Sequence, residues 1–172
     1  MKELLIRLEA CDPAKEWAAN KSWEEVYNTC HRYDWLLWLH IRTNNEDLQV
    51  RTLAKGHCAN TVRHLMQDER SLKAVDTAIA FGEGRATRAE LYSAAADASR
   101  AAAATNAVAR SAYARSAAYS AYAAAEAAEA SEAAYYARMK NEKETADIVR
   151  KYIPIELWNV RKMIDELKNN QA

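Results

Sequence analysis

Apolar residues along the chain recur at helical spacing. In the segment DWLLWLHI, Trp35, Trp38 and Leu39 fall on one helix face. Near the C-terminus, Leu157, Trp158, Val160, Met163, Ile164 and Leu167 form a second stripe of the same period. Alternating Val/Ile/Thr runs and Asn-Gly or Asp-Gly turns, the marks of strands and hairpins, do not occur. Helix start signals are frequent instead. Asp12-Pro13 places an acidic cap before a proline suited to a first helical turn. Ser22-Trp23-Glu24-Glu25 and Thr87-Arg88-Ala89-Glu90 both have the spacing of a capping box. Asp34 can cap DWLLWLHIR, and Ser71 can cap SLKAVDTAIAF, which Gly82 and Gly84 should stop. Ile153-Pro154 marks a boundary, and Pro154 should open the last helix.

The expected fold is therefore all-α. It comprises an N-terminal helical bundle over residues 1–84, an alanine-rich arm over 85–140, and C-terminal amphipathic helices over 141–172 that pack on the N-terminal domain. Trp17, Trp23, Trp35, Trp38 and Trp158 are expected in the core, with an exposed aromatic pocket as the alternative. The arm follows from the absence of glycine and proline between Arg85 and Ile153. Alanine has the highest helix propensity, with Arg, Glu and Lys close behind. A helix from Thr87 to Lys140 would span roughly 80 Å. A compact domain of this length has a radius of gyration of only about 16 Å. The tract must either project as one long helix or fold into a helical hairpin, with Asn106 or Ser131 as bends and Asn141-Glu142-Lys143-Glu144 as a restart. The lack of a strong breaker favours the single helix.

Every seventh residue of the tract is small: Ala95, Ala102, Ala109, Ser116, Ala123, Ala130 and Ala137. Such a seam lets another helix approach closely, and a seven-residue repeat keeps it facing one partner. Tyr92, Tyr113, Tyr119, Tyr122, Tyr135 and Tyr136 lie off that seam, where their large, polar-tipped rings suit a partner contact. Packing inside the same molecule is the plainer reading of both features. Charge is unevenly spread: Arg85, Arg88, Arg100, Arg110 and Arg115 outnumber Glu90 and Asp97, whereas Glu126, Glu129 and Glu132 outnumber Arg138 further on. An antiparallel homodimer of two arms would match these charges.

Composition narrows the function. Half of the 172 residues are apolar, but many of these are alanine, which offers little area at ~25 cal/mol per Å². The core must come from the larger residues before 82 and after 147. With 24 basic and 24 acidic residues the chain has no net charge, which argues against general nucleic-acid binding. Three widely spaced cysteines, Cys11, Cys30 and Cys58, do not form a disulfide framework and fit a reducing, cytoplasmic setting. The opening MKELLIRLEA carries charges within its apolar run, so it does not read as a secretory signal, and no window reaches membrane-span length.

Signals of catalysis are weak. Cys30-His31 and His57-Cys58 could in principle gather around zinc, but adjacent helical residues diverge, and neither C-x-x-C nor H-E-x-x-H is present. His57 and His64 can share a face. No G-x-S-x-G, Walker loop or G-x-G-x-x-G occurs, and Glu126, Glu129 and Glu132 drift around the helix as a solvated face. Neither a cofactor nor a metal is expected. An anion between helices could be held by Arg85, Arg88, Arg100 and Arg110, which would make the protein a nucleotide-binding module.

Trp17, Ser22-Trp23-Glu24-Glu25 and Cys30-x-Arg32-x-Asp34-Trp35-Leu36-Leu37-Trp38-Leu39 resemble the N-terminal pattern of the Imm-5-like family of immunity proteins. The resemblance continues through CANTVRHLMQDERS, AIAFGEG, the Ala/Tyr tract and ADIVRKYIP, with fewer tyrosines in the tract than the family usually has. It implies a bacterial or phage-borne, non-enzymatic protein that neutralises a toxin by direct binding. A phage inhibitor of a host defence system and a self-assembling structural protein are the alternatives.

Overall fold

The computed structural model describes residues 1–44, 47–61, 63–66, 68–109 and 132–169; within these, the side chains of 65, 101–109 and 132–138 are not described. The described chain is all-α, with no strand among the described residues. Four short helices open the body: α1 (Lys2–Arg7), α2 (Asp12–Trp17), α3 (Trp23–Thr29) and α4 (Tyr33–Thr43). Then come α5 (Leu48–Asn60), α6 (Glu69–Gly82), α7 (Arg88–Ala109), α8 (Glu132–Tyr152) and α9 (Val160–Asn169). A 3-10 turn at Ile155–Leu157 joins α8 to α9.

Both capping boxes form. Glu25 N donates to Ser22 Oγ at 3.1 Å and Ser22 N donates back to Glu25 Oε2 at 2.7 Å. Thr87 and Glu90 repeat the arrangement at 2.7 and 3.2 Å. Elsewhere the starts differ from expectation. Arg32 takes the cap position of α4, because the Asp34 carboxylate is occupied by the Arg32 guanidinium at 2.8 and 2.6 Å. Asp34 sits in the first turn, where the positive helix end still favours it. Asp68 rather than Ser71 caps α6, accepting from Arg70 N at 2.8 Å. Cys11 takes the cap position of α2, with Asp12 and Pro13 inside its first turn. Pro154 opens the 3-10 turn, and the helix proper begins only at Val160.

The core sits where α3, α4, α8 and the turn before α9 meet. Trp158 is its centre, with ring centroids 5.2 Å from Trp23, 5.8 Å from Tyr27 and 4.9 Å from His40. The polar tips find partners: Trp158 Nε1 donates to the Ile153 carbonyl at 3.0 Å, and the Tyr27 hydroxyl lies 3.2 Å from the Arg150 and Ile153 carbonyls. Leu4, Leu36, Val149, Ile153 and Val160 are fully buried around them.

α5 and α6 pack antiparallel at very short range. A Cβ on Gly82 would lie 2.3 Å from that of Leu53, and one on Gly56 would lie 2.9 Å from Ile79. Only glycine fits such an approach. Glu83 and Gly84, the latter at φ 76°, then reverse the chain into α7. α7 runs back along α6, with Glu90, Ser93 and Ala94, and Ala86 of the preceding turn, facing Lys73, Asp76, Thr77 and Ala80 across one crevice. α8 runs antiparallel to α5: Asn141 bonds Thr61 at 3.1 Å, and Cys58 Sγ donates to the Thr145 carbonyl at 3.5 Å. α7 therefore runs parallel to α5 while α8 opposes it. Two helices of opposite direction are not one straight rod, so the described ends of the alanine tract have the directions of a hairpin.

Candidate functional site

The short helices α1–α4 enclose a cavity of about 600 Å³. Leu5, Ala14, Ala18, Val26, Leu36 and Leu39 give it an apolar floor. Trp17, Trp35 and Trp38, all half-buried, wall it. The Trp17 and Trp35 rings lie 6.2 Å apart, tilted by 59°. Trp23 and Trp158 are core residues, so the five tryptophans divide between core and cavity. A cation lies over each cavity indole: Lys21 over Trp17 at 4.3 Å, Arg32 over Trp35 at 4.8 Å and Arg42 over Trp38 at 5.6 Å. Arg42 follows Trp38 by four residues on α4, the spacing at which helical neighbours meet, whereas Lys21, past the end of α2, reaches back to donate to the Trp17 carbonyl at 2.5 Å. Glu9 and Asp34 are the acidic residues of the lining, and Arg32 is its one cationic residue. The Arg32 guanidinium beside Asp34 holds that carboxyl below its ordinary range.

Glu9 carries an unusual backbone. It adopts φ 59° just past α1, where Glu9 N donates to the Ile6 carbonyl at 3.0 Å and Ala10 N to the Leu5 carbonyl at 2.9 Å. These two bonds are the Schellman termination, whose left-handed position usually holds glycine.

The alanine tract is described in part. On α7, Tyr92 is 60% exposed, more than any other large apolar side chain described. Ala95 of the small-residue seam is exposed too, while Ala94 is 3% exposed against α6. Ala95, the one seam residue whose side chain is described, thus does not pack on α6. Ala102 and Ala109 lie on the helical backbone of α7, and Tyr135, Tyr136 and Ala137 on that of α8. Tyr113, Tyr119, Tyr122, Ser116, Ala123, Ala130 and Arg110 lie outside the described residues, as do Arg115, Glu126, Glu129 and Asn106's side chain. Of the other arginines considered for an anion, Arg85 pairs with Glu83 and Arg100 with Asp97 at 2.8 Å, while Arg88 is exposed on the first turn of α7. Arg85 and Arg100 thus meet carboxylates of their own chain.

The cysteines and histidines are dispersed. Cys30 Sγ donates to the Arg32 carbonyl at 3.5 Å, and His31 lies 3.9 Å from Glu142. His57 stacks on Tyr152 at 4.4 Å with an 8° interplanar angle. Burial pushes the Cys30 thiol up and the Cys58 thiol up to about 12, which keeps both protonated and weakly nucleophilic. Among the described residues no cluster of three or more His, Cys, Asp or Glu side chains could hold a metal ion. The buried His40 makes no hydrogen bond through either ring nitrogen among the described residues. Burial, then the nearby Arg51 charge, pushes its pKa down.

Comparison of the chain with family models, curated proteins and solved structures gives no match. None of the described helices is long and apolar enough to cross a membrane.

Sequence reasoning foresaw an aromatic pocket only as an alternative and did not single out Lys21 or Arg42. The spacing Trp17-x-x-x-Lys21 and Trp38-x-x-x-Arg42 was the available signal. Arg150 also went unmarked. Its guanidinium donates to the Tyr27 carbonyl at 2.5 Å, to the Cys30 carbonyl, and to Asp147 at 2.8 Å, and so ties α8 to the end of α3.

Proposed function

We propose that the protein is a non-enzymatic inhibitor that acts by binding a protein partner directly, in the manner of an immunity protein against a toxin. A component of a host defence system, met by a phage-borne inhibitor, is the other partner of the same chemical kind. One observation carries this reading. The helix face bearing Tyr92 and Ala95 is turned away from α6, and it leaves exposed a large aromatic ring beside a methyl-sized neighbour. Aromatic rings that combine contact area with a polar tip are enriched at protein interfaces. A small residue next to the ring lets a partner backbone come close.

The test is a photoreactive amino acid placed at Tyr92, at Ala95, or at Lys162 on α9 as a control, in cells of the native host. The reading expects one defined adduct from positions 92 and 95 and none from 162. An adduct of twice the chain's own mass would replace it with the homodimer of arms. Equal labelling from all three positions, or none, would end it.

A further inference from the structure

The cavity between α1 and α4 is separate from the contact face on α7. Its volume of about 600 Å³ falls within the range of small-molecule sites, which are mostly apolar with a few placed polar groups. Its floor is made of buried alkyl side chains, Leu5, Ala14, Val26 and Leu36 among them. Its walls are the half-buried indoles of Trp17, Trp35 and Trp38, which accept flat rings by offset or edge-to-face stacking. The charged residues of the lining are Glu9, Arg32 and Asp34, and Arg32 is engaged with Asp34 through bonds of 2.8 and 2.6 Å. No buried side-chain nitrogen or oxygen of the lining lacks a partner, and the Cys30 thiol donates to the Arg32 carbonyl at 3.5 Å.

These features select against charge of either sign. An anion would meet Glu9, and the one cation of the lining is already bound to a carboxylate. A cation would be drawn to the indoles, but each already has a cation of the protein between 4.3 and 5.6 Å from its centre, and the like charges would repel a second one. A ligand rich in hydrogen-bonding groups would lose its water without finding an unpaired buried partner. We infer that the cavity binds an uncharged, planar aromatic molecule, held by burial on the alkyl floor and by ring contacts with Trp17, Trp35 and Trp38. Ring–ring contacts add about two- to tenfold in affinity beyond the burial of area, which sets an aromatic ligand above an aliphatic one of the same size. Cys11, exposed and part of the lining, places a thiol at the edge of the site. The inference does not depend on the partner contact at α7.

Ligands built on one bicyclic skeleton test it: 1-naphthol, its saturated counterpart decahydro-1-naphthol, the anion 1-naphthoate and the cation 1-naphthylmethylammonium. Isothermal titration calorimetry of the full chain at neutral pH gives each affinity. 1-Naphthol is expected to bind in a single saturable step, about two- to tenfold more tightly than the saturated alcohol and more tightly than either ion. Saturating 1-naphthol should slow alkylation of Cys11 by iodoacetamide, because that thiol lines the cavity and is the exposed one of the three. Ala14→Leu, which fills part of the floor, should weaken 1-naphthol binding about fivefold or more while helical circular dichroism is kept. If Ala14→Leu loses its helical signal, the Cys11 readout decides alone. No saturable binding, equal affinity for 1-naphthol and its saturated counterpart, an ion bound as tightly as 1-naphthol, unchanged affinity in a folded Ala14→Leu variant, or unchanged Cys11 alkylation at saturation overturns the inference.

Discussion

Arg150 offers the sharpest test of how the body is held together. Its side chain is 16% exposed and comes from α8, yet two of its bonds end on carbonyls of Tyr27 and Cys30, at the last turn of α3 and just beyond. Those carbonyls have no helical partner of their own, and a guanidinium there both donates to them and offsets the negative helix end. Replacement by methionine keeps the stem and its packing and removes only the charged head. A hydrogen bond to a charged group contributes about 1.5–3 kcal/mol, and carbonyls left unpaired at a part-buried site add to the loss. Arg150→Met should therefore cost about 3 kcal/mol. For a domain of this size that is a fall in Tm of roughly 6–12 °C. The Asp147 pair is the internal control: its carboxylate is 60% exposed, so Asp147→Asn should change stability by no more than about 0.5 kcal/mol. Urea unfolding followed by far-ultraviolet circular dichroism measures both. If Arg150→Met unfolds within about 0.5 kcal/mol of the parent, the bridge from α8 to α3 contributes nothing net.

Three further outcomes follow from local geometry. Glu9→Gly relieves a left-handed backbone that costs an L-residue about 1–2 kcal/mol, against a smaller entropic loss in the unfolded chain, and should raise stability by about 0.5–1 kcal/mol in the same urea assay. His40 has a folded pKa below the ordinary 6.5, so the unfolded chain takes up a proton that the folded chain refuses. Its contribution is whole above that pH and is lost as pH falls through the folded value, with a slope of up to about 1.4 kcal/mol per pH unit; Arg51 and Asp47 are the charged groups around it, and His40→Leu should flatten this acid limb of the urea midpoint. A disulfide-exchange reagent should titrate only the exposed Cys11 in the folded protein and all three thiols in denaturant; rapid reaction at Cys30 or Cys58 in the folded state would contradict their burial.

Features encoded within three or four residues were legible in the sequence. The capping boxes at Ser22 and Thr87, the stop at Gly82–Gly84 and the helical class all rest on neighbours along the chain. Cap positions failed where a side chain had a competing partner. Asp34 is held by Arg32, and Asp68 begins α6 three residues ahead of Ser71 because its carboxylate reaches Arg70 N. The direction of α8 was beyond local reading, since alanine-rich sequence carries no punctuation and only the contacts with Thr61 and Cys58 reveal which way it runs. The cavity required knowing that α1, α2 and α4 converge, which no spacing within one helix encodes.

The position of Trp158 bears on how the molecule is made. Its ring completes the cluster begun by Trp23 and Tyr27, and the Tyr27 hydroxyl waits on a carbonyl 123 residues further along. A ribosome delivering the chain from its N-terminus exposes the first half of that nucleus long before the indole that closes it emerges. Contacts so distant in sequence are slow to find. Helices α1–α4 must therefore spend most of synthesis as an unfinished, apolar surface, and a nascent chain halted before residue 158 should be drawn to chaperones rather than fold.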